Sequence, residues 1–403
     1  MYKDGICQVK PNYYTKMIEL FDINYDVLDE DEKCDTLDDY MKVLNYFQPN
    51  IKFQYFLFNR KVNKQTLMDF FDIDMQEDKF DYIRDEYSEM LKKLSCEGND
   101  GIIKSKYLII GVECTGIKDA RNELDSIENK VIDNYLSMGV QAKKIDGKNR
   151  LRLIHEYFNQ DSLESFKFSF KEMSESGKSV KDYVAPSGFD FRYPTRFKTG
   201  NMFGSVSYLE FLSSNLTDQL LRDLIKLNDN MSISIHMQTI DPLEAIKMVK
   251  ANLSNVQKMK IDEQKKAVRG GYDMDTLPPD IIAYEKSLID LLTDINTSNQ
   301  KLINITFLIN CFGKSKRELE NLKQKVTGIV QQSGNDVRCL QYLQEQNLKN
   351  NYIHISLQNL YAKPDHYQQL LHQNCTPYIH VTSVCQKISD KFYLDIAPQK
   401  GEY

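Results

Sequence analysis

Tyr107-Leu108-Ile109-Ile110-Gly111-Val112-Glu113-Cys114-Thr115-Gly116-Ile117-Lys118-Asp119 reads as an apolar strand, a tight turn and the start of a helix. Leu302-Ile303-Asn304-Ile305-Thr306-Phe307-Leu308-Ile309-Asn310-Cys311-Phe312-Gly313-Lys314-Ser315 reads the same way. A strand that feeds a helix is where a phosphate-binding loop belongs. That loop needs G-x-x-x-x-G-K-[ST], so that backbone N–H groups wrap the phosphates and the Lys reaches the β/γ-phosphates. In the first stretch Ile117 stands where the Lys should be, and Lys118 is turned away by ~100° of helix. In the second, Gly313, Lys314 and Ser315 fit, but Leu308 replaces the first Gly. Leu does not readily take the positive φ that Gly supplies there. The nearest acid for a metal, Asp395, lies in an irregular tail. Two ordinary strand-to-helix turns are therefore expected. A degenerate NTPase using Gly313, Lys314 and Ser315 is the alternative.

Outward from these turns, the hydrophobic period switches repeatedly between 2 and 3.6. Strands are expected at Ile6–Val9, Tyr14–Leu20, Ile51–Phe58, Tyr107–Cys114 and Val140–Ile145. Helices are expected around Leu37–Phe47, from Lys64 to Leu94, and from Ile117 to Tyr135. The second half repeats the order, with strands Ser205–Phe211, Met231–Ile240, Leu302–Cys311 and Val337–Leu343. Its helices are Thr217–Leu227, Pro242–Arg269, one from Pro278-Pro279 to Ile295, and one carrying Leu319, Leu322, Val326 and Ile329. Leu124, Ile127, Val131 and Leu319, Leu322, Val326 share one spacing, so the repeat is one of pattern. The predicted class is α+β: two ferredoxin-like (split βαβ) modules, each with a long helical insertion between its second and third strands. The first module spans 1–157 and the second 201–345, with its insertion at 242–298. Residues 158–200 join them. Seven aromatics between Phe166 and Tyr193 make that segment too apolar for a free linker, so it should pack across both modules. Residues 346–403 form a C-terminal segment.

An apolar content of 41% and a charged content of 27% are those of a globular chain. The longest nearly apolar stretch, Leu302–Phe312, is broken by Asn304, Thr306 and Asn310. It falls far short of the ~20 residues that span a bilayer. Met1-Tyr2-Lys3-Asp4-Gly5 has no signal-peptide core, which predicts a cytoplasmic chain. The eight cysteines are scattered without a C-x-x-C and read as reduced thiols. A net charge of −6 argues against non-specific nucleic-acid binding by the whole chain, though not by a local patch.

Local clusters carry the sharper readings. Lys247, Lys250, Lys258, Lys260, Lys265, Lys266 and Arg269 sit among apolar residues on one amphipathic helix. Such a helix suits DNA, anionic lipid or an acidic partner, against the plainer reading of a solvated face. Lys143, Lys144, Lys148, Arg150 and Arg152 surround Gly147 and read as a charged turn. His366, His372, Cys375, His380 and Cys385 fall within a short tail segment, but without the tight pairing of most zinc sites. His155 and His236 have no paired nucleophile, and G-x-S-x-G, H-E-x-x-H and G-x-G-x-x-G are absent. No cofactor is expected. A third functional reading has strand aromatics stacking single-stranded nucleic acid.

Lys181-Asp182-Tyr183-Val184-Ala185-Pro186-Ser187-Gly188-Phe189-Asp190-Phe191 is followed by Phe197-Lys198-Thr199-Gly200-Asn201-Met202-Phe203-Gly204-Ser205-Val206. Together they resemble the central segment of the VirB/TraE/TrbE-type ATPases of conjugation and type IV secretion, in their Gram-positive branch. Tyr2-Lys3-Asp4-Gly5-Ile6, Asp22-Ile23-Asn24-Tyr25 and Gln341-Tyr342-Leu343-Gln344 agree in order. The resemblance implies the region that precedes a P-loop motor in that family, with the motor expected beyond Tyr403. It implies a non-catalytic docking module at the cytoplasmic face of the membrane. Its expected partners are inner-membrane channel subunits, a motor or coupling ATPase, and further copies of itself.

Overall fold

A computed structural model describes residues 1–21, 29–61, 75–76, 78–98, 102–160, 166–212, 219–271, 273, 277–297, 301–345, 348 and 378–380. The Asp22–Tyr25 block and most of 346–403 lie outside them. In the first half, β1 (Cys7–Lys10) and β2 (Tyr13–Leu20) form a hairpin, followed by α1 (Glu30–Tyr46) and β3 (Lys52–Lys61). Then come α2 (Asp81–Gly98), β4 (Ile102–Glu113), α3 (Ile117–Ser137) and β5 (Ala142–Lys144). α4 (Gly147–Phe158) closes the first half and leads into the joining segment, which holds α5 (Phe170–Ser176), α6 (Val180–Val184), β6 (Phe189–Asp190) and β7 (Phe197–Thr199). The second half runs β8 (Met202–Glu210), α7 (Gln219–Lys226), β9 (Met231–Thr239), α8 (Pro242–Arg269), α9 (Pro279–Thr297), β10 (Leu302–Gly313), α10 (Lys316–Gln332) and β11 (Asp336–Cys339). A short β12 (Tyr378–His380) pairs with Leu302–Asn304.

The fold is mixed helix and strand around one large antiparallel sheet. In the first half β5 pairs β2, β2 pairs β4 and β4 pairs β3. The second half follows the same order: β11 pairs β8, β8 pairs β10 and β10 pairs β9. β3 and β9 then pair edge to edge, from Lys52 opposite Gln238 to Asn59 opposite Met231. This pairing joins the halves into a single sheet and removes two exposed edges. Side chains on the joined strands clasp the halves reciprocally. Asn59 donates to the carbonyls of Ile225 and Leu227 at the end of α7. Thr239 donates to the carbonyl of Phe47 just past α1, at 2.9 Å. Each satisfies helix-end carbonyls left over by the opposite half.

Alternation assigns the two faces of the sheet. Tyr14, Ile18, Phe53, Tyr55, Leu108, Ile110, Ile233, Ile235, Phe307 and Ile309 face α1, α3, α7 and α10 in one core. Met17, Phe56, Phe58, Tyr107, Ile109, Leu308 and Phe312 face the other side, against Leu151, Leu153, Ile154 and Tyr157 of α4. Phe166, Phe168, Phe170, Tyr183 and Phe191 of the joining segment pack into this second core. The second face turns polar at the junction. There Gln54 donates to Ser234 at 2.9 Å, and the Asn310 amide donates to the Tyr157 hydroxyl at 2.7 Å. Burial among aromatics pushes the Tyr157 hydroxyl well above its ordinary pKa.

Two expectations change. The basic run around Gly147 is not a charged turn. Asp146 caps the N-terminus of α4, and Arg150 on that helix is 2% exposed. The strand expected at Val337–Leu343 stops at Cys339, and Tyr342 takes a φ of 61°.

Candidate docking surfaces

Neither near-P-loop forms a loop. β10 runs unbroken to Gly313, with Leu308–Gly313 laddered to β8 and Leu308–Cys311 also laddered to β9. The backbone groups that would wrap a phosphate are spent in the sheet. Ser315 caps α10 by accepting from the Glu318 N–H at 3.2 Å, and the Glu318 carboxylate accepts from the Lys314 N–H at 2.8 Å. A carboxylate of the chain thus holds the helix start, where an anion would sit. Gly313 is required by packing, because a Cβ there would lie 2.6 Å from the Leu319 nitrogen. At the first turn, a Cβ on Gly111 would lie 2.1 Å from the Tyr13 hydroxyl. Both glycines admit a close neighbour rather than a ligand. Lys314 is exposed. Lys314→Ala is expected to shift stability by less than about 0.5 kcal/mol and to leave nucleotide retention unchanged. Calorimetric titration with ATP checks this, and a wild-type signal lost in the variant would revive the NTPase reading.

The strand aromatics do not form a base-stacking platform. Phe53, Tyr55, Phe56 and Phe58 are buried between layers. His155 packs on Phe166, and His236 is buried in β9. Burial raises the Cys311 thiol to about 12. Cys114 rises to about 11, through burial and then its hydrogen bond to Glu123. Neither is a poised nucleophile. No group of potential metal ligands occurs among the described residues. His366, His372, Cys375 and Cys385 lie outside them, as does the side chain of His380. A crevice beside α4 is lined by Arg60, Lys143, Lys144, Arg152, Tyr107, Glu19 and Glu156. Arg60 meets Glu156 at 3.2 Å. Burial raises the Glu19 carboxyl against the pull of Lys143, Arg152 and Arg60. Two carboxylates among four cations leave the crevice net positive, with Arg60 and Lys144 engaged by Glu156 and Glu128.

Two insertions present apolar surface instead. On α2, Phe80 just before the helix and Ile83, Tyr87 and Met90 within it recur at spacings of three and four. That spacing places them along one side, and all are exposed. Acidic Asp85, Glu86 and Glu89 accompany them, while Arg84 is held by Asp78 and Asp81. In the second half, α8 and α9 form an antiparallel hairpin. Its seam sets Ala245, Val249 and Val256 against Leu288 and Ile295. Lys260 ties the helices together through Glu285 at 2.8 Å.

The seven basic residues singled out on α8 separate into two groups. Lys260 belongs to the seam, Lys266 pairs with Glu263 at 2.6 Å, and Lys265 lies 3.6 Å from Asp262. Lys247, Lys250, Lys258, Lys265 and Arg269 are exposed. At ~100° per residue they fall on the side away from α9. No family model matches the chain, and no curated protein matches it. No helix among the described residues is long and apolar enough to cross a membrane. Sequence reasoning singled out the α8 cations but missed the α2 stripe as a surface. The 3.6 period that marks Ile83, Tyr87 and Met90 as helical is the same whether that face is covered or bare.

Proposed function

We propose that this chain is a non-catalytic assembly module of the conjugal-transfer ATPase type. On this reading it docks onto inner-membrane channel subunits at the cytoplasmic face of the membrane. It also associates with a motor or coupling ATPase and with further copies of itself. ATP hydrolysis is assigned to the motor. The ordered blocks Tyr2–Ile6, Lys181–Phe191, Phe197–Val206 and Gln341–Gln344 support the kinship. The strand order common to both halves supports reading each as a ferredoxin-like unit, with its insertion between the second and third strands.

The observation that carries the docking role is the bare stripe Phe80, Ile83, Tyr87, Met90 on an acidic helix, beside a sheet whose own cores are closed. Large aromatic and aliphatic side chains grouped on an exposed helix face suit helix-in-groove or face-to-face contact with another protein. The test is co-purification of the chain with the small membrane subunits of its transfer channel. Ile83→Asp and Tyr87→Asp are expected to abolish co-purification and leave the thermal midpoint unchanged, since both side chains are exposed. Failure of the wild-type chain to co-purify sinks the docking role. Stoichiometric ATP binding by the chain sinks its non-catalytic part.

A further inference from the structure

The α8–α9 hairpin is electrically two-sided. α8 carries seven basic residues against three acids (Glu244, Asp262, Glu263), for +4. α9 carries four acids (Asp280, Glu285, Asp290, Asp294) against Lys286, for −3. On α8 the exposed cations point away from the seam. At ~100° per residue, Asp290 and Asp294 also fall on the side of α9 away from its own seam, with Lys286 between them and its N-terminus. The hairpin therefore has a strongly basic outer edge on α8 and a weakly acidic one on α9, where Asp290 and Asp294 outnumber Lys286.

Its broad face is apolar. Ile261 and Val268 on α8, and Ile282 and Ile289 on α9, are about half exposed. In an antiparallel pair, residues rotated from the seam in the same sense fall on the same broad face. All four are rotated in the same sense, by roughly a third of a turn. A two-helix hairpin buries a single seam, and these side chains are what a second layer would cover.

We propose that this face pairs with the same face of a second copy of the chain, closing a four-helix bundle. A two-fold axis parallel to the helices lays α8 of one copy over α9 of the other, and the reverse on the opposite edge. Each basic edge then meets an acidic edge, and Ile261, Val268, Ile282 and Ile289 are buried between them. The contact is self-complementary, as a two-fold interface must be. A two-fold axis crossing the helices would stack α8 on α8 and set like charges together. An anionic lipid surface would meet the acids of α9 along with the cations of α8. Charge thus selects a second copy, and selects which helix lies on which.

This inference specifies the self-association within the function proposed above, and its failure is distinguishable from failure of that function. The full chain is followed by sedimentation across a concentration series, with co-purification of channel subunits as a separate arm. The wild type is expected to dimerise. Ile261→Asp with Ile289→Asp is expected to give a monomer with an unchanged far-ultraviolet circular dichroism spectrum. Lys258→Glu with Lys265→Glu is expected to weaken association about ten-fold or more, as is Asp290→Lys with Asp294→Lys. All four reversals in one chain restore an acidic edge opposite a basic one, and are expected to recover the dimer. A wild type that stays monomeric overturns the proposal, even if channel subunits still co-purify. So does a dimer indifferent to every substitution, or a four-fold reversal that fails to recover. A monomer that instead sediments with anionic vesicles, and loses them on Lys258→Glu, also overturns it, in favour of a lipid surface.

Discussion

Arg150→Met lowers the unfolding free energy by about 3–5 kcal/mol, read as a fall in the denaturant midpoint at neutral pH. The Arg150 guanidinium is enclosed between α4 and the first strands. It donates to the carbonyl of Gly5 at 2.9 Å, to the carbonyl of Thr15 at 2.8 Å and to the Thr15 hydroxyl at 2.7 Å. Hydrogen bonds from a charged donor are worth about 1.5–3 kcal/mol each, and a buried acceptor left without a donor costs more than the bond gained. Methionine keeps much of the side-chain volume, so the loss measured is polar. The same side chain ties the N-terminal turn to β2 and to the second-face layer. Arg150→Lys is expected to recover part of the loss, because one ammonium cannot reproduce the planar fork. A midpoint shift equivalent to less than about 1 kcal/mol would falsify this account.

Lys16→Met is expected to cost about 3–5 kcal/mol, and the cost is expected to depend on pH. The Lys16 ammonium lies 2.8 Å from Glu128, which is 2% exposed, and also donates to Asp125. Removing it leaves a buried carboxylate held only by the more distant and more exposed Lys144, at 3.4 Å. An unpaired buried charge is the costly state. Burial by itself lowers the Lys16 pKa, but the hydrogen bonds to Asp125 and Glu128 outweigh it, so the pKa stands above its ordinary 10.5. A raised folded pKa means that the stabilisation is complete below 10.5 and is lost as pH rises through the folded value. The gap between wild type and Lys16→Met should be constant at neutral pH and narrow in strong alkali, as the ammonium loses its proton. A gap that already closes near neutral pH contradicts the assignment.

The two near-P-loop stretches show how far reading the chain goes. Both were legible as a strand, a turn and a helix, because apolar spacing and Gly punctuation report local geometry. The reason for Gly111 and Gly313 was not. Their neighbours, the Tyr13 ring and the Leu319 backbone, are fixed by packing. α4 was missed for a related reason. Lys148, Arg150 and Arg152 look like surface charge, and nothing in their order says that Arg150 turns inward to carbonyls over a hundred positions away. The α8 cations were legible as a group, but their division between a seam ion pair and an exposed outer edge required α9 alongside.

Taken alone, the order of residues determined the period of each segment, and hence which stretches are strands or helices and that the pattern occurs twice. Those are local consequences of side-chain spacing and turn chemistry. The tertiary structure alone decided that β3 and β9 join the halves into one sheet. Edge pairing is made by backbone groups common to every residue, so no side-chain pattern announces it. It also decided which apolar faces are closed and which, on α2 and on the α8–α9 hairpin, remain open. Burial depends on what lies opposite, and that is known only once the chain has folded.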